Sequence, residues 1–171
     1  NNDIDEAVVN GNTYTKAEYA LCIASMEAGC PVSRGLTNMK MTWLESCLLS
    51  DEPGKITKQG KITAVQRIDE NDISYYVINR GVTSLVTVTG DKQRRFSKIR
   101  CVRTMFIVTE DIQSTWYSSY LGARVNDYMG KMAFINSVNA YTDELASIGL
   151  LDPNYPNKFD IDIDKHQRVL M

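Results

Sequence analysis

Acid–base or nucleophilic chemistry in this chain has one histidine to draw on, His166. A Ser-His-Asp or Cys-His arrangement would have to be built around it. Its neighbours Asp164, Lys165, Gln167 and Arg168 are charged or polar, the setting of an exposed and chemically idle side chain. A zinc centre needs three or four suitable ligands. The cysteines Cys22, Cys30, Cys47 and Cys101 are separated by 8, 17 and 54 residues, which matches no zinc or redox spacing. They read as reduced, mostly buried thiols of a cytosolically made protein rather than a disulfide framework. Glu110 and Asp111 are adjacent on a predicted helix, so they point about 100° apart and form no carboxylate dyad.

Two further patterns fail on their details. In residues 54–61, GKITKQGK, the glycines stand one residue too far apart for a phosphate loop. Lys61 is followed by Ile62 where a hydroxyl residue is needed, and a strand follows where a helix is required. Asp160, Asp162 and Asp164 have a superficial calcium-loop spacing. Ile161 and Ile163 alternate with them as in a strand with one solvated face, and the loop's glycine and distal glutamate are missing. The residues therefore predict no catalytic group, no metal and no cofactor.

The charge feature that stands out is Lys92, Arg94, Arg95, Lys98, Arg100 and Arg103, six basic residues in twelve positions. They lead into the start of a predicted helix, the end whose dipole disfavours cations. Either they form a solvated face or they meet an acidic surface on a partner. Nucleic acid is the weaker version of that partner: no aromatic residues interleave with the cluster for stacking, and the formal net charge of the chain is −2.

The elements that position these residues follow from pattern. The chain has 171 residues, 43% hydrophobic and 23% charged, an ordinary globular composition with length for a real core. No apolar run approaches the roughly 18 residues of a membrane span, and the acidic N-terminus is not a signal-peptide pattern. Residues 1–13 read as a polar lead-in and residues 14–171 as a single α/β domain. Thr15 and Glu18 have capping-box spacing at the head of a helix over about 16–28, with Gly29 in a left-handed position and Pro31 ending it. Residues 35–44 read as extended, and Pro53 opens a short helix closed by Gly60. Residues 61–79 form a β-hairpin around the turn at Asp69–Asp72, followed by a strand over 82–88.

Two long helices are predicted over about 96–119 and 127–148. The first carries a stripe of Ile99, Val102, Phe106, Ile112, Trp116 and Tyr120. The second is capped by Asn126, carries Tyr128, Met132, Ile135, Val138, Tyr141 or Thr142, Leu145 and Ile148, and is ended by Gly149. A last strand is expected over about 159–163. The fold class is thus α/β, a mixed sheet packed against two long helices and an N-terminal one.

The order of several local strings resembles a known family. Residues 14–19, YTKAEY, lead to 23–24 and to 27–32, EAGCPV. Then come 79–85, NRGVTSL; 96–100, FSKIR; 110–112, EDI; 120–127, YLGARVND; and 134–141, FINSVNAY. In this order they are similar to the contractile tail sheath proteins of myophages and to the sheaths of R-type bacteriocins and phage-like particles. The resemblance spans residues 12–171.

The resemblance implies a structural subunit, not an enzyme. Such subunits polymerise around a tail tube, and their contraction drives the tube through the host envelope. The implied partners are other sheath subunits, the tube protein and the baseplate, with no direct nucleic acid and no membrane. The implied location is the tail of a virion or phage-like particle made in the bacterial cytoplasm. Family members are joined by terminal arms that add strands to a neighbour's sheet. Both arms fall outside this chain, which on this reading is a fragment, monomeric by itself. Lys92, Arg94, Arg95, Lys98, Arg100 and Arg103 are the candidate partner interface. The competing reading is a small α/β enzyme or ligand-binding domain of unknown substrate, which requires a cleft with convergent polar groups. A host-recognition or baseplate module would instead require an exposed aromatic patch.

Overall fold

A computed structural model describes residues 2–90, 92–154 and 159. The fold is mixed α/β, as the sequence patterning predicts. It divides into two compact units, Asn1–Arg103 and Thr104–Met171.

The first unit begins with strands β1, Asp5–Val9, and β2, Asn12–Tyr14, joined by a turn in which Asn10 and Gly11 take positive φ. A polar lead-in is expected over these residues, yet Ile4 and Ala7 are 1% and 0% exposed. The reason lies at Glu6, whose φ is 48° and where the register with the partner strand shifts. A bulge inserts one residue, so two apolar side chains three positions apart both point inward. The period-two alternation that would have marked a strand is thereby hidden. Strand β3, Ser46–Leu48, pairs antiparallel with the other side of β1, giving the order β2-β1-β3.

Helix α1, Lys16–Gly29, starts with the expected capping box: the Thr15 N–H donates to Glu18 Oε2 at 2.9 Å, and the Thr15 hydroxyl accepts from the Glu18 N–H at 3.5 Å. Its end differs from expectation. Gly29 is not among the left-handed residues, and Cys30 closes the helix in extended conformation, donating its N–H to the Glu27 carbonyl. The buried side of α1 carries Tyr19, Ile23 and Met26. These pack with Leu36, Met41, Leu44, Ile62, Ile78 and Val82 into one core.

Helix α2, Pro53–Lys58, has proline in its first turn and is followed by Gly60 at φ +73°. Strands β4, Ala64–Ile68, and β5, Ser74–Ile78, form the expected hairpin. Asp69 holds its turn: Asp69 Oδ1 accepts from the N–H groups of Asn71 and Ile73, each at 2.9 Å. Residues 35–44 are not a strand. They turn irregularly, with Asn38 at φ 59°, yet supply partners to β5: Met41 donates to Tyr76, Asn38 to Ile78, and Ile78 to Met39.

The strand expected over 82–88 is reduced to a single bridge between Val82 and Lys98. The Thr83 hydroxyl accounts for this locally. It donates to the Phe96 carbonyl and accepts from the Leu85 N–H, offering the backbone side-chain partners in place of a ladder.

A 3-10 turn at Arg94–Ser97 leads into α3, Ile99–Thr115, which continues as a π-helical turn at Trp116–Tyr120. The unit boundary falls within α3, after Arg103. In the second unit, α4, Tyr128–Ser147, is capped by Asp127 rather than by Asn126, because the Asp127 carboxylate accepts from the Gly130 N–H at 2.7 Å. Val138, Thr142 and Leu145 are its buried residues. Trp116, Tyr120 and Phe134 form an aromatic cluster with centroid separations of 4.9 to 6.1 Å. The strand expected over 159–163 lies, apart from Phe159, outside the described residues.

Candidate subunit interface

The basic cluster sits on a backbone that is pinned to residues 81–83. Thr83 donates its N–H to the Ser97 carbonyl at 3.0 Å, and Ile99 donates to the Gly81 carbonyl at 3.3 Å. These bonds fix the 3-10 turn and the first turn of α3 against the base of the β4–β5 hairpin. Lys92, Arg94, Arg95, Lys98 and Arg100 are exposed. Arg103 is different. Its side chain is 25% exposed, and its Nη1 donates to the Glu27 main-chain carbonyl at 2.9 Å and to Glu27 Oε1 at 3.2 Å. Five of the six cations therefore present charge outward, while Arg103 ties the start of α3 to the end of α1.

Beside these cations lies a groove of about 380 Å³, with Arg34, Lys98 and Arg100 around it and the half-buried Ile99 contributing apolar surface. Gly35 lines it and lies close to Arg100: a Cβ at Gly35 would stand 3.6 Å from the Arg100 Cβ.

A second candidate surface is the outer edge of β4. Asp69 donates to the Ile73 carbonyl and Asn79 to the Thr63 carbonyl, so the odd-numbered residues of β4 face β5. Ala64, Gln66 and Ile68 then direct their backbone N–H and C=O groups away from it. Residues 2–4 begin to cover this edge, with Asp3 donating to Ile62 at 2.8 Å. Beyond that point no strand pairs with it among the described residues. An open strand edge carrying Ile68 at 67% exposure is a template for another chain.

The requirements of the enzyme reading can be set beside this. In the second unit, Asp111, Ser114, Thr115, Ser137 and Tyr141 line a groove of about 360 Å³. The Tyr141 hydroxyl donates to Asp111 Oδ2. Burial, reinforced by that hydrogen bond, pushes the phenol up to about 12, far from the range of a general acid or base at neutral pH. Burial also raises the Cys47 thiol to about 11, which suppresses its thiolate. All four cysteines are free. Among the described residues no cluster of His, Cys, Asp or Glu is arranged to hold a metal. His166 lies outside the described residues. No described helix is long and apolar enough to cross a membrane.

Sequence reasoning missed one feature of the surface. Phe106 and Met105 are 71% and 46% exposed, and Tyr117, Leu121, Val125 and Met129 are also exposed. Helical spacing places Phe106 on a core stripe; Ile99, Val102, Ile112 and Tyr120 are half-buried, but Phe106 faces solvent. The length of the stripe relative to the single buried residue of α3, Thr104, was not visible in periodicity alone.

Comparisons with known proteins converge on one family. Residues 91–169 match the model of the phage tail sheath C-terminal domain. The tail sheath protein of Clostridium phage phiCD119 is 31% identical over 169 residues, which is 99% of this chain and 46% of that protein. A crystallised sheath tail protein from Desulfitobacterium hafniense shares the fold at a TM-score of 0.74 and 18% identity, covering 90% of this chain and 35% of that one. One from Listeria innocua does so at 0.75 and 18%, covering 94% and 38%. The chain thus spans about half the length of the curated relative it matches, or less of the solved ones. It belongs to the phage tail sheath family.

Proposed function

We propose that this chain is the part of a structural tail sheath subunit that meets neighbouring subunits. In the whole polypeptide, copies polymerise around a tail tube held on a baseplate. Rearrangement of their contacts contracts the polymer and drives the tube through the host envelope. The site of action is the tail of a phage or of an R-type bacteriocin particle, made in the bacterial cytoplasm, and the protein acts without catalysis. The observation that carries this reading is the 31% identity to a tail sheath protein maintained over 99% of the chain.

Two surface features fit it. The outer edge of β4 is ready to receive an extended segment from another subunit, where main-chain hydrogen bonds supply affinity and alternate side chains supply specificity. The outward cations Lys92, Arg94, Arg95, Lys98 and Arg100 supply charge for register and partner choice, the part that electrostatics plays best at an interface. Arg103 contributes there mainly by holding α3 in place. Electron microscopy of the intact polypeptide containing this chain tests the reading. Hollow, regularly striated cylinders are the expected result; a monodisperse, non-assembling protein under all salt conditions overturns it.

A further inference from the structure

The first unit carries an acidic counterpart to its own basic groove. The tip of the β4–β5 hairpin holds Asp69, Glu70 and Asp72 between Ile68 and Ile73, which are 67% and 61% exposed. The tip is a shaped surface. Two hydrogen bonds to Asp69 Oδ1 fix the turn, and Asp72 takes a positive φ of 58°. Lys40 faces Asp69, with its Nζ 4.4 Å from the Tyr75 ring centroid, and Arg67 lies beside the tip on β4. Glu70 and Asp72 enter no ion pair among the described residues, and neither do Lys92, Arg94, Arg95 and Lys98.

The tip cannot reach the groove of its own chain. Ile78 pairs with Ala64 at the base of the hairpin, and the groove begins three residues later at Gly81. Ile68 lies four residues along β4 from Ala64, about 13 Å at strand rise. Acid and base thus stand at opposite ends of one rigid hairpin, and only a second copy can bring them together.

We propose that the hairpin tip of one subunit docks on the basic groove of the next, with Glu70 and Asp72 against Lys98, Arg95 and Arg94, and Ile68 or Ile73 over the half-buried Ile99. This deepens the sheath reading and rests on it. The contact is heterologous: the two patches differ, so each copy keeps one patch free for a further copy, and the contact propagates into a ring or an open helix.

The test uses the intact polypeptide with three sets of changes: Arg94→Glu with Arg95→Glu and Lys98→Glu; Glu70→Lys with Asp72→Asn, which suits the positive φ; and both sets together. Each set alone raises the concentration needed for cylinder formation about tenfold or more, by juxtaposing like charges or removing the pairing. The two sets together recover most of the loss, which a variant that merely misfolds does not do. Wild-type cylinders that persist unchanged in both single-sided variants, or a combined variant no better than either, overturn the contact and leave the sheath reading standing. A wild type that forms no cylinders overturns both.

Discussion

Arg103 and Glu27 are joined twice through one nitrogen: Arg103 Nη1 donates to the Glu27 main-chain carbonyl and to its carboxylate. The bond to the carbonyl serves the C-terminal turn of α1, and the bond to the carboxylate serves a half-buried charge. Glu27 Oε2 is buried without a partner, so this carboxylate has no other compensation. Replacing Arg103 with Ala is expected to destabilise the chain by about 1–3 kcal/mol, because a buried charge loses its partner. Replacing both residues with Ala is expected to cost less than the two single changes combined. Urea unfolding of the four proteins measures this; an Arg103→Ala loss indistinguishable from zero contradicts it.

The turn after α2 depends on one backbone conformation. Gly60 has φ +73°, and a Cβ there would lie 2.9 Å from the Thr83 carbonyl oxygen. Gly60→Ala therefore meets both a left-handed backbone penalty and a clash with main chain. A loss of about 2 kcal/mol or more is expected. Thermal or urea unfolding checks it, with Gly90→Ala as a control because nothing lies within 4 Å of a Cβ there.

Three carboxyls, Asp5, Glu18 and Asp69, are held below their usual values and shape the acid limb of stability. Glu18 is held below the usual carboxylate value of 4.5 by hydrogen bonds from the Thr15 N–H and hydroxyl, and Asp69 below 3.8 by the N–H groups of Ile73 and Asn71. Folded values lie below unfolded ones. Their contribution is therefore present above the unfolded values and is lost as pH falls through the folded ones. Stability is expected to decline on acidification below about pH 4.5, and Glu18→Gln is expected to flatten that decline. Thr15→Ala is expected to lower stability by about 1 kcal/mol at neutral pH through loss of the cap. Denaturation midpoints across pH 3 to 7 test both.

Tyr141 shapes the alkaline limb together with Tyr19, a core phenol that burial also raises. The Tyr141 phenol is raised from 10.0 to about 12 by burial and by its bond to Asp111. A raised folded value gives stability that is present below the unfolded value and lost as pH rises through the folded one. Ultraviolet titration is expected to show Tyr141 ionising late together with Tyr19, which burial also raises, and Asp111→Asn is expected to bring Tyr141 alone down. A titration unchanged by Asp111→Asn contradicts the assignment.

Much of the fold was legible because its local signals agree with its tertiary use. Thr15 and Glu18 mark a cap that forms, Asp69 a turn that closes, and Pro53 and Gly60 a short helix that appears. Three things were hidden for physical reasons. The bulge at Glu6 places Ile4 and Ala7 three apart, which no strand alternation predicts. Thr83 uses its hydroxyl to divert a β-rich segment from pairing. The stripe on α3 has helical period whether a neighbour covers it or not, so periodicity reads Phe106 as core where the structure exposes it. The basic cluster was visible as charge, but Arg103's different role depends on Glu27, seventy-six residues away.

That exposure gives a further expectation. Phe106→Ser is expected to change unfolding stability by no more than about 0.5 kcal/mol, the usual range for surface positions, where a core phenylalanine would lose several times that. Chemical denaturation distinguishes the two at once.

On the function proposed above, this chain works through surfaces completed by other copies. Amide hydrogen exchange, compared between dissociated and assembled intact polypeptide, reads those surfaces residue by residue. The outward-facing amides of Gln66 and Ile68 are expected to become strongly protected on assembly, together with the backbone around Lys98, while the buried strand at Val77 and Ile78 stays as protected as before. A polymer in which Gln66 and Ile68 exchange at their dissociated rates would contradict this.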